Sequence, residues 1–285
     1  MEILHELTHM LEHAVLDALK TLPFLFLAYL LIEYMEHRAS AKLRNGLQRL
    51  GPFGPVGGAL IGIVPQCGFS VAASNFYAGR IISAGTLLAV FLSTSDEAIP
   101  ILLSQPQMRG YILPVLGVKL LSAMVFGFLV DLVLRLLPKK EEEAPFEELC
   151  AECDCEHHGV LRSALHHTVH IFLFILLVNL VMELAIHFIG EETISGLLLN
   201  GSVFQPFLTA LIGLIPNCAA SVILTELFSA GSLAFGSCIA GLCAGAGMGV
   251  IVLFRANRRM KENFAILGVL YGTAVLTGLL VNLFC

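Results

Sequence analysis

The chain has no tryptophan and little charge. Only 13% of its 285 residues are Asp, Glu, Lys or Arg, while 57% are apolar. A soluble domain of this length needs far more charged surface, so an ordinary soluble enzyme or binding module is excluded. Without Trp, any aromatic belt at a membrane surface falls to Tyr and Phe. The first dozen residues hold Glu and His but no Lys or Arg, which argues against a signal peptide with a basic leading region. No phosphate-binding Gly-x-x-x-x-Gly-Lys motif is present, so no nucleotide site is expected, and the missing His-Glu-x-x-His argues against a zinc protease. No nucleic-acid partner and no resident cofactor are expected.

Long apolar stretches dominate what remains. Those at roughly 15–36, 81–104, 110–137, 164–188, 232–254 and 263–284 can each cross a bilayer as a helix, which takes about 20 residues. Two shorter pairs, 52–64 with 68–79 and 203–215 with 218–229, read as half-helices, re-entrant or very short. The expected fold is an all-α polytopic membrane protein.

The pattern is duplicated. Gly62-Ile63-Val64-Pro65-Gln66-Cys67 returns about 150 residues later as Gly213-Leu214-Ile215-Pro216-Asn217-Cys218, and Ser70-Val71 returns as Ser221-Val222. Gly117-Val118, Gly127 and Asp131 return at the same offset as Gly268-Val269, Gly278 and Asn282, while Glu33 and His37 return one register earlier as Glu183 and His187. The chain divides into a first transmembrane repeat (1–137), a linker (138–163) and a second repeat (164–285). Duplicated apolar halves, each interrupted by a polar motif at the same place, are the signature of a transporter whose site lies where broken helices meet.

Basic residues orient the halves. Arg38, Lys42, Arg44 and Arg49 follow the first span, whereas the matching loop of the second half, Gly190-Glu191-Glu192-Thr193-Ile194, is acidic. Equivalent loops of opposite bias belong on opposite faces, so the repeats are expected to have inverted topology, the symmetry of alternating access. Tracing the bias onward places the linker in the cytosol and both termini outside, in a multi-pass protein of the plasma membrane (the inner membrane of a two-membrane cell). Only Lys20, Arg109 and Lys119 fall outside or within the membrane.

Pro65 and Pro216 end helical ladders, and the backbone groups they free need side chains, water or substrate as partners. The half-helices that follow bring Gln66, Cys67 and Ser70, and Asn217, Cys218 and Ser221, to helix starts with free N–H groups. A pair of kinks lined by small residues is the blander alternative. Repetition of an amide, a thiol and a serine favours a shared site. Ser93-Thr94-Ser95-Asp96-Glu97 interrupts an apolar span, where carboxyls are costly and functional by default. The matching Ala244-Gly245-Ala246-Gly247-Met248-Gly249 offers no acid, only the Met248 thioether and room for close backbone approach. Glu33 and Glu183, deep in their spans, are further candidates. Glu226 is either another carboxylate or a surface group, and Asp131 and Asn282 are candidates for hydrogen bonds in helix packing.

The linker carries Cys150-Ala151-Glu152-Cys153-Asp154-Cys155-Glu156-His157-His158. Cys150, Cys153, Cys155, His157 and His158 suit soft and borderline metals, in a segment too short and acidic for a zinc finger. Metal capture or sensing is the expectation, with a solvated linker as the alternative.

Pro65-Gln66-Cys67-Gly68-Phe69-Ser70, Ser83-Ala84-Gly85, Ser93-Thr94-Ser95-Asp96-Glu97-Ala98 and Ala244-Gly245-Ala246-Gly247-Met248-Gly249, in this order, resemble the ten-transmembrane heavy-metal exporter family. That family is grouped with the arsenic permeases and labelled as arsenic efflux or manganese transport. The resemblance runs from Leu11 to the C-terminus. It implies membrane transport of a metal or metalloid rather than enzyme chemistry. The organoarsenical permeases have a Cys-rich first break, and here Cys67 stands alone.

Ligand hardness then addresses the cargo. Asp96, Glu97, Ser95, Gln66, Asn217, Ser70 and Ser221 supply oxygen, while Cys67, Cys218 and Met248 supply sulfur. Export of a divalent transition metal, manganese favoured, stands ahead of arsenite or organoarsenical efflux. Energy would come from a coupling proton or other ion. A membrane thiol-disulfide electron carrier using Cys67 and Cys218 remains the rival of a different class. The partners expected are the lipid bilayer, the metal or metalloid ion and the coupling ion, with a homo-oligomer left open. A tag at Gly159 should be reachable only from the cytosol and tags at both termini only from outside; protease accessibility in intact cells checks this.

Overall fold

In the computed structural model, residues 53–94, 98–136 and 203–284 are described, with single residues and short runs within 15–30 and 161–181. Among the described residues every regular element is helical, and the two halves follow the same order. In the first half, α1 (Gly54–Gly62) and α2 (Cys67–Ala78) form the short pair. Then come α3 (Ala84–Ser93), α4 (Ala98–Ser104), a 3₁₀ turn (Pro106–Tyr111) and α5 (Ile112–Leu136). In the second half, α6 (Gln205–Gly213) and α7 (Cys218–Ser229) form the pair, followed by α8 (Phe235–Ala244), α9 (Met248–Ala256) and α10 (Met260–Phe284).

Proline breaks both short pairs where the sequence places it. Gln66 (φ −159°, ψ 115°) and Asn217 (φ −146°, ψ 148°) are extended residues that open α2 and α7. Hydropathy alone reads 81–104 and 232–254 as unbroken spans, and here the structure differs. α3 stops at Ser93 and Thr94 leaves the helix at ψ 125°. α8 stops at Ala244, and Gly247 takes φ +54° before α9 begins. A positive φ is strained for any residue with a Cβ, which explains the glycine there.

Matched residues make matched contacts. Asp131 accepts from the Gly85 N–H (2.9 Å) and the Ser83 hydroxyl (2.7 Å) at the start of α3. Asn282 accepts from the Gly236 N–H (2.9 Å) at the start of α8. Both polar side chains on α5 and α10 therefore satisfy the open N–H groups of a neighbouring helix, as an apolar surrounding demands. A side chain at Gly85 would strike the Gly127 carbonyl and Asp131, and one at Gly236 would strike the Gly278 carbonyl and Asn282. α2 and α7 end in the same turn. The Arg80 N–H donates to Tyr77 O and the Ile81 N–H to Phe76 O, while the Gly231 N–H donates to Phe228 O and the Ser232 N–H to Leu227 O.

The halves also interlock. α2 packs on α9, where the Ser74 hydroxyl donates to Gly249 O at 2.7 Å, and α7 packs on α4. At one end Glu262 pairs with Arg80 (2.9 Å) and Arg259 (3.1 Å) and accepts from the Tyr77 hydroxyl (3.4 Å). The positions matching Tyr77 and Glu262 are Phe228 and Tyr111, and their rings pack edge to face at 5.1 Å with Phe235 beside them. α3 is buried from Gly85 to Ser93 and α8 from Gly236 to Ala244. α5 and α10 instead expose apolar rows, among them Leu121, Val125, Phe128 and Leu132, and Phe264, Leu276, Leu280 and Leu283. Such rows suit lipid chains, and the spans Pro106–Leu136 and Met260–Phe284 are long and apolar enough to cross a membrane.

Gly85→Ala and Gly236→Ala should each destabilise the protein by about 1–3 kcal/mol through overpacking. Gly57→Ala, with nothing within 4 Å of the added carbon, should leave stability unchanged or slightly higher. Circular dichroism melting in detergent measures both.

Candidate functional site

The helix breaks bring chain ends from both halves to one small cavity. Thr94 and Ala98 come from the first half, at the end of α3 and the start of α4. Gly213 ends α6, and Asn217, Ala220 and Ser221 open α7. Gly241, Leu242, Gly245 and Gly247 come from the break between α8 and α9. The cavity is narrow: the space that the centre of a water molecule can occupy is about 10 Å³, about enough for one water. Glycine permits this convergence: a side chain on Gly213 would strike the Gly241 carbonyl, and one on Gly62 would strike the Ser93 hydroxyl.

Helix ends leave carbonyls unpaired, and apolar surroundings cannot solvate them. Lys119 answers that need. It sits within the apolar helix α5, fully buried, and its ammonium donates to Thr94 O and Leu242 O, each at 2.5 Å. Thr94 ends α3 and Leu242 lies in the last turn of α8, so one cation joins the broken helices of the two halves. The amide that would have bonded Leu242 O in a continuing helix, that of Ala246, bonds Ala244 O instead. Sequence reading noted Lys119 as lying within or beyond the membrane but assigned it no role. Its position inside an apolar span was the available signal.

Asn217 is buried at 8% exposure. Its Oδ1 accepts from the Ala219 N–H at 3.1 Å and caps α7. Its Nδ2 is buried with no partner in the protein. The open atom of this predicted ligand is thus a donor rather than an oxygen. Ser221 also lines the cavity, half-buried. Ser70 is fully buried at the α2–α9 contact, where Gly249 sits against its Cβ. Met248 packs in an apolar cluster with Val71, Ile175 and Val252. Gln66 is half-buried at the start of α2. Cys67 and Cys218 are the first residues of α2 and α7, and their side chains lie outside the described residues. Two other thiols, Cys238 and Cys243, are free and buried in α8. Glu226 is exposed.

Ser95, Asp96 and Glu97 lie outside the described residues, as do Glu33, Glu183, Cys150, Cys153, Cys155, His157 and His158. Both chain neighbours of the 95–97 segment, Thr94 and Ala98, line the cavity. Among the described residues no three His, Cys, Asp or Glu side chains gather into a metal-sized group.

Replacing Lys119 with Met should cost about 1–3 kcal/mol for each of the two carbonyls left without a donor. Leu270, buried at the matching position of α10, is the control: Leu270→Met should cost less than about 1.5 kcal/mol. Melting of the two purified variants compares them.

The profile of a family described as "Putative, 10TM heavy-metal exporter" matches residues 25–191 and 183–285. No curated protein and no solved structure matches the chain.

Proposed function

Because this chain belongs to the ten-transmembrane heavy-metal exporter family, we propose that it is a secondary-active exporter of a divalent transition metal ion, manganese first, with the cavity at the helix breaks as its transport site. One observation carries the reading: helix ends from both halves line a single cavity, and the paired acids Asp96 and Glu97 stand in sequence between two of its lining residues. Carboxylate and hydroxyl oxygens suit manganese better than a thiolate set does. Asp96 and Glu97 would hold the ion, with Ser95 and Ser221 beside them.

Alternating access follows from inverted repeats exchanging roles. The exchanged pairs support it: Tyr77 with Glu262 in one place, and Phe228 with Tyr111 in the other. On the charge-based orientation, the ionic pair closes the cytosolic end and the aromatic pair the outer end. Energy comes from an ion gradient, with Asp96, Glu97 or Glu33 carrying the coupling proton. Cys150, Cys153 and Cys155 capture metal before it enters.

Asp96→Asn or Glu97→Gln should abolish manganese resistance at matched expression, because a cation ligand contributes charge as well as geometry. Cys67→Ser should only reduce or retune transport. Resistance and metal accumulation in cells measure both. Normal behaviour of both carboxylate variants with total loss in Cys67→Ser or Cys218→Ser would instead favour thiol-disulfide electron transfer.

A further inference from the structure

A cation buried in the middle of an apolar helix is costly to place, and such a group is functional by default. Lys119 is one. It is 0% exposed on α5, and the matching position of α10 is Leu270, so the repeated frame does not itself require a charge there. What the ammonium touches is specific. Its bonds to Thr94 O and Leu242 O reach the C-terminal ends of α3 and α8. Carbonyls at such ends lack partners within their own helix, and the helix dipole there is negative. Thr94 and Leu242 both line the cavity, so the tie belongs to its wall. In membrane transporters built from broken helices, half-helix C-terminal ends and unwound carbonyls are where a coupling cation is held. Here a side chain of the protein brings its own charge to that kind of place.

We infer that the meeting point of the α3 and α8 ends is a site for a monovalent cation, and that the Lys119 ammonium is a built-in substitute for the ion. Its charge, and not only its hydrogen bonds, holds one helix end from each half against the other. Emptied of its side chain, the site takes a small monovalent cation from solution, such as sodium or an alkylammonium. The inference about the site is independent of cargo. Its consequence for coupling rests on the exporter reading: transport by the intact chain needs no sodium, because the place for it is already filled. Lys119 is then a positioning residue that keeps two walls of the cavity together.

Chemical rescue tests this. Wild type, Lys119→Ala and Lys119→Met are purified as full-length chains in detergent. Each is melted in N-methylglucamine chloride, sodium chloride and propylammonium chloride at equal ionic strength. Alanine vacates the space beside the two carbonyls, whereas methionine refills it with an uncharged chain. Lys119→Ala should melt below wild type in N-methylglucamine and regain about 3 °C or more, saturably, in sodium and in propylammonium. Wild type and Lys119→Met should respond to either ion by less than about 1 °C. If Lys119→Ala does not fold in N-methylglucamine, its folded yield after purification in each salt replaces the melting temperature as the readout. Absence of any response to sodium overturns the inference. Rescue by propylammonium alone does so too, since it reduces Lys119 to a hydrogen-bond donor. An equal response of wild type or Lys119→Met also overturns it, because the ion then acts elsewhere. In liposomes, manganese movement by wild type should be the same in sodium and in N-methylglucamine, and that of Lys119→Ala should drop about tenfold or more without sodium. Sodium dependence of the wild type contradicts the substitution. Rescued melting with no manganese movement by any of the three chains upholds the cation site and counts against the exporter reading.

Discussion

A broken helix inside an apolar slab has backbone groups with no solvent to turn to, and that constraint organises this molecule. Two spans break in mid-course, and two short pairs are interrupted at a proline. Each break leaves carbonyls or N–H groups to be satisfied by the protein itself. Asp131 and Asn282 serve the N-terminal ends of α3 and α8. Lys119 serves their C-terminal ends, both at once. The ammonium is the only side-chain cation among the described residues of α5's apolar interior, and it ties the two halves at the point where they meet. One buried donor remains without a protein partner, the Nδ2 of Asn217, a residue that lines the cavity.

The duplicated scaffold carries different chemistry in its two copies. Glycines at matched positions allow the same close approaches, Gly85 to Gly127 and Gly236 to Gly278. The capping side chain is a carboxylate in one half and an amide in the other. The contact between the end of α2 and the start of α10 is ionic, whereas its counterpart between α7 and the start of α5 is aromatic. The first half has Asp96 and Glu97 at its break, and the second has glycine.

Much of this was legible in the sequence. Pro65 and Pro216 marked the short pairs, and the repeat foretold which residues would match. The mid-span breaks after Ser93 and Ala244 were not foreseen, because a hydropathy window averages the short polar run 94–97 with its apolar flanks and small residues continue through 244–249. Gly247 at positive φ was the local sign. The role of Lys119 could not be read, since its partners lie 25 and 123 residues away and no periodicity encodes them. Asn217, a candidate ligand by sequence, lines the cavity, and its hydrogen-bond polarity depends on which atom caps α7. Met248 looked like a soft ligand because its thioether lies in the segment that matches Asp96 and Glu97. The structure turns it into the cluster with Val71 and Val252, where the turn of α9 beyond Gly247 points it.

The cavity and the carboxylates become a transporter only if the protein moves its cargo against a gradient without nucleotide. Reconstitution into liposomes with an imposed proton gradient tests this most directly, with manganese followed on both sides of the membrane. The account requires uphill manganese movement that collapses when the gradient is dissipated and that needs no ATP. Manganese that only runs downhill, or that moves uphill at an unchanged rate after the ion gradients have been removed, would contradict it.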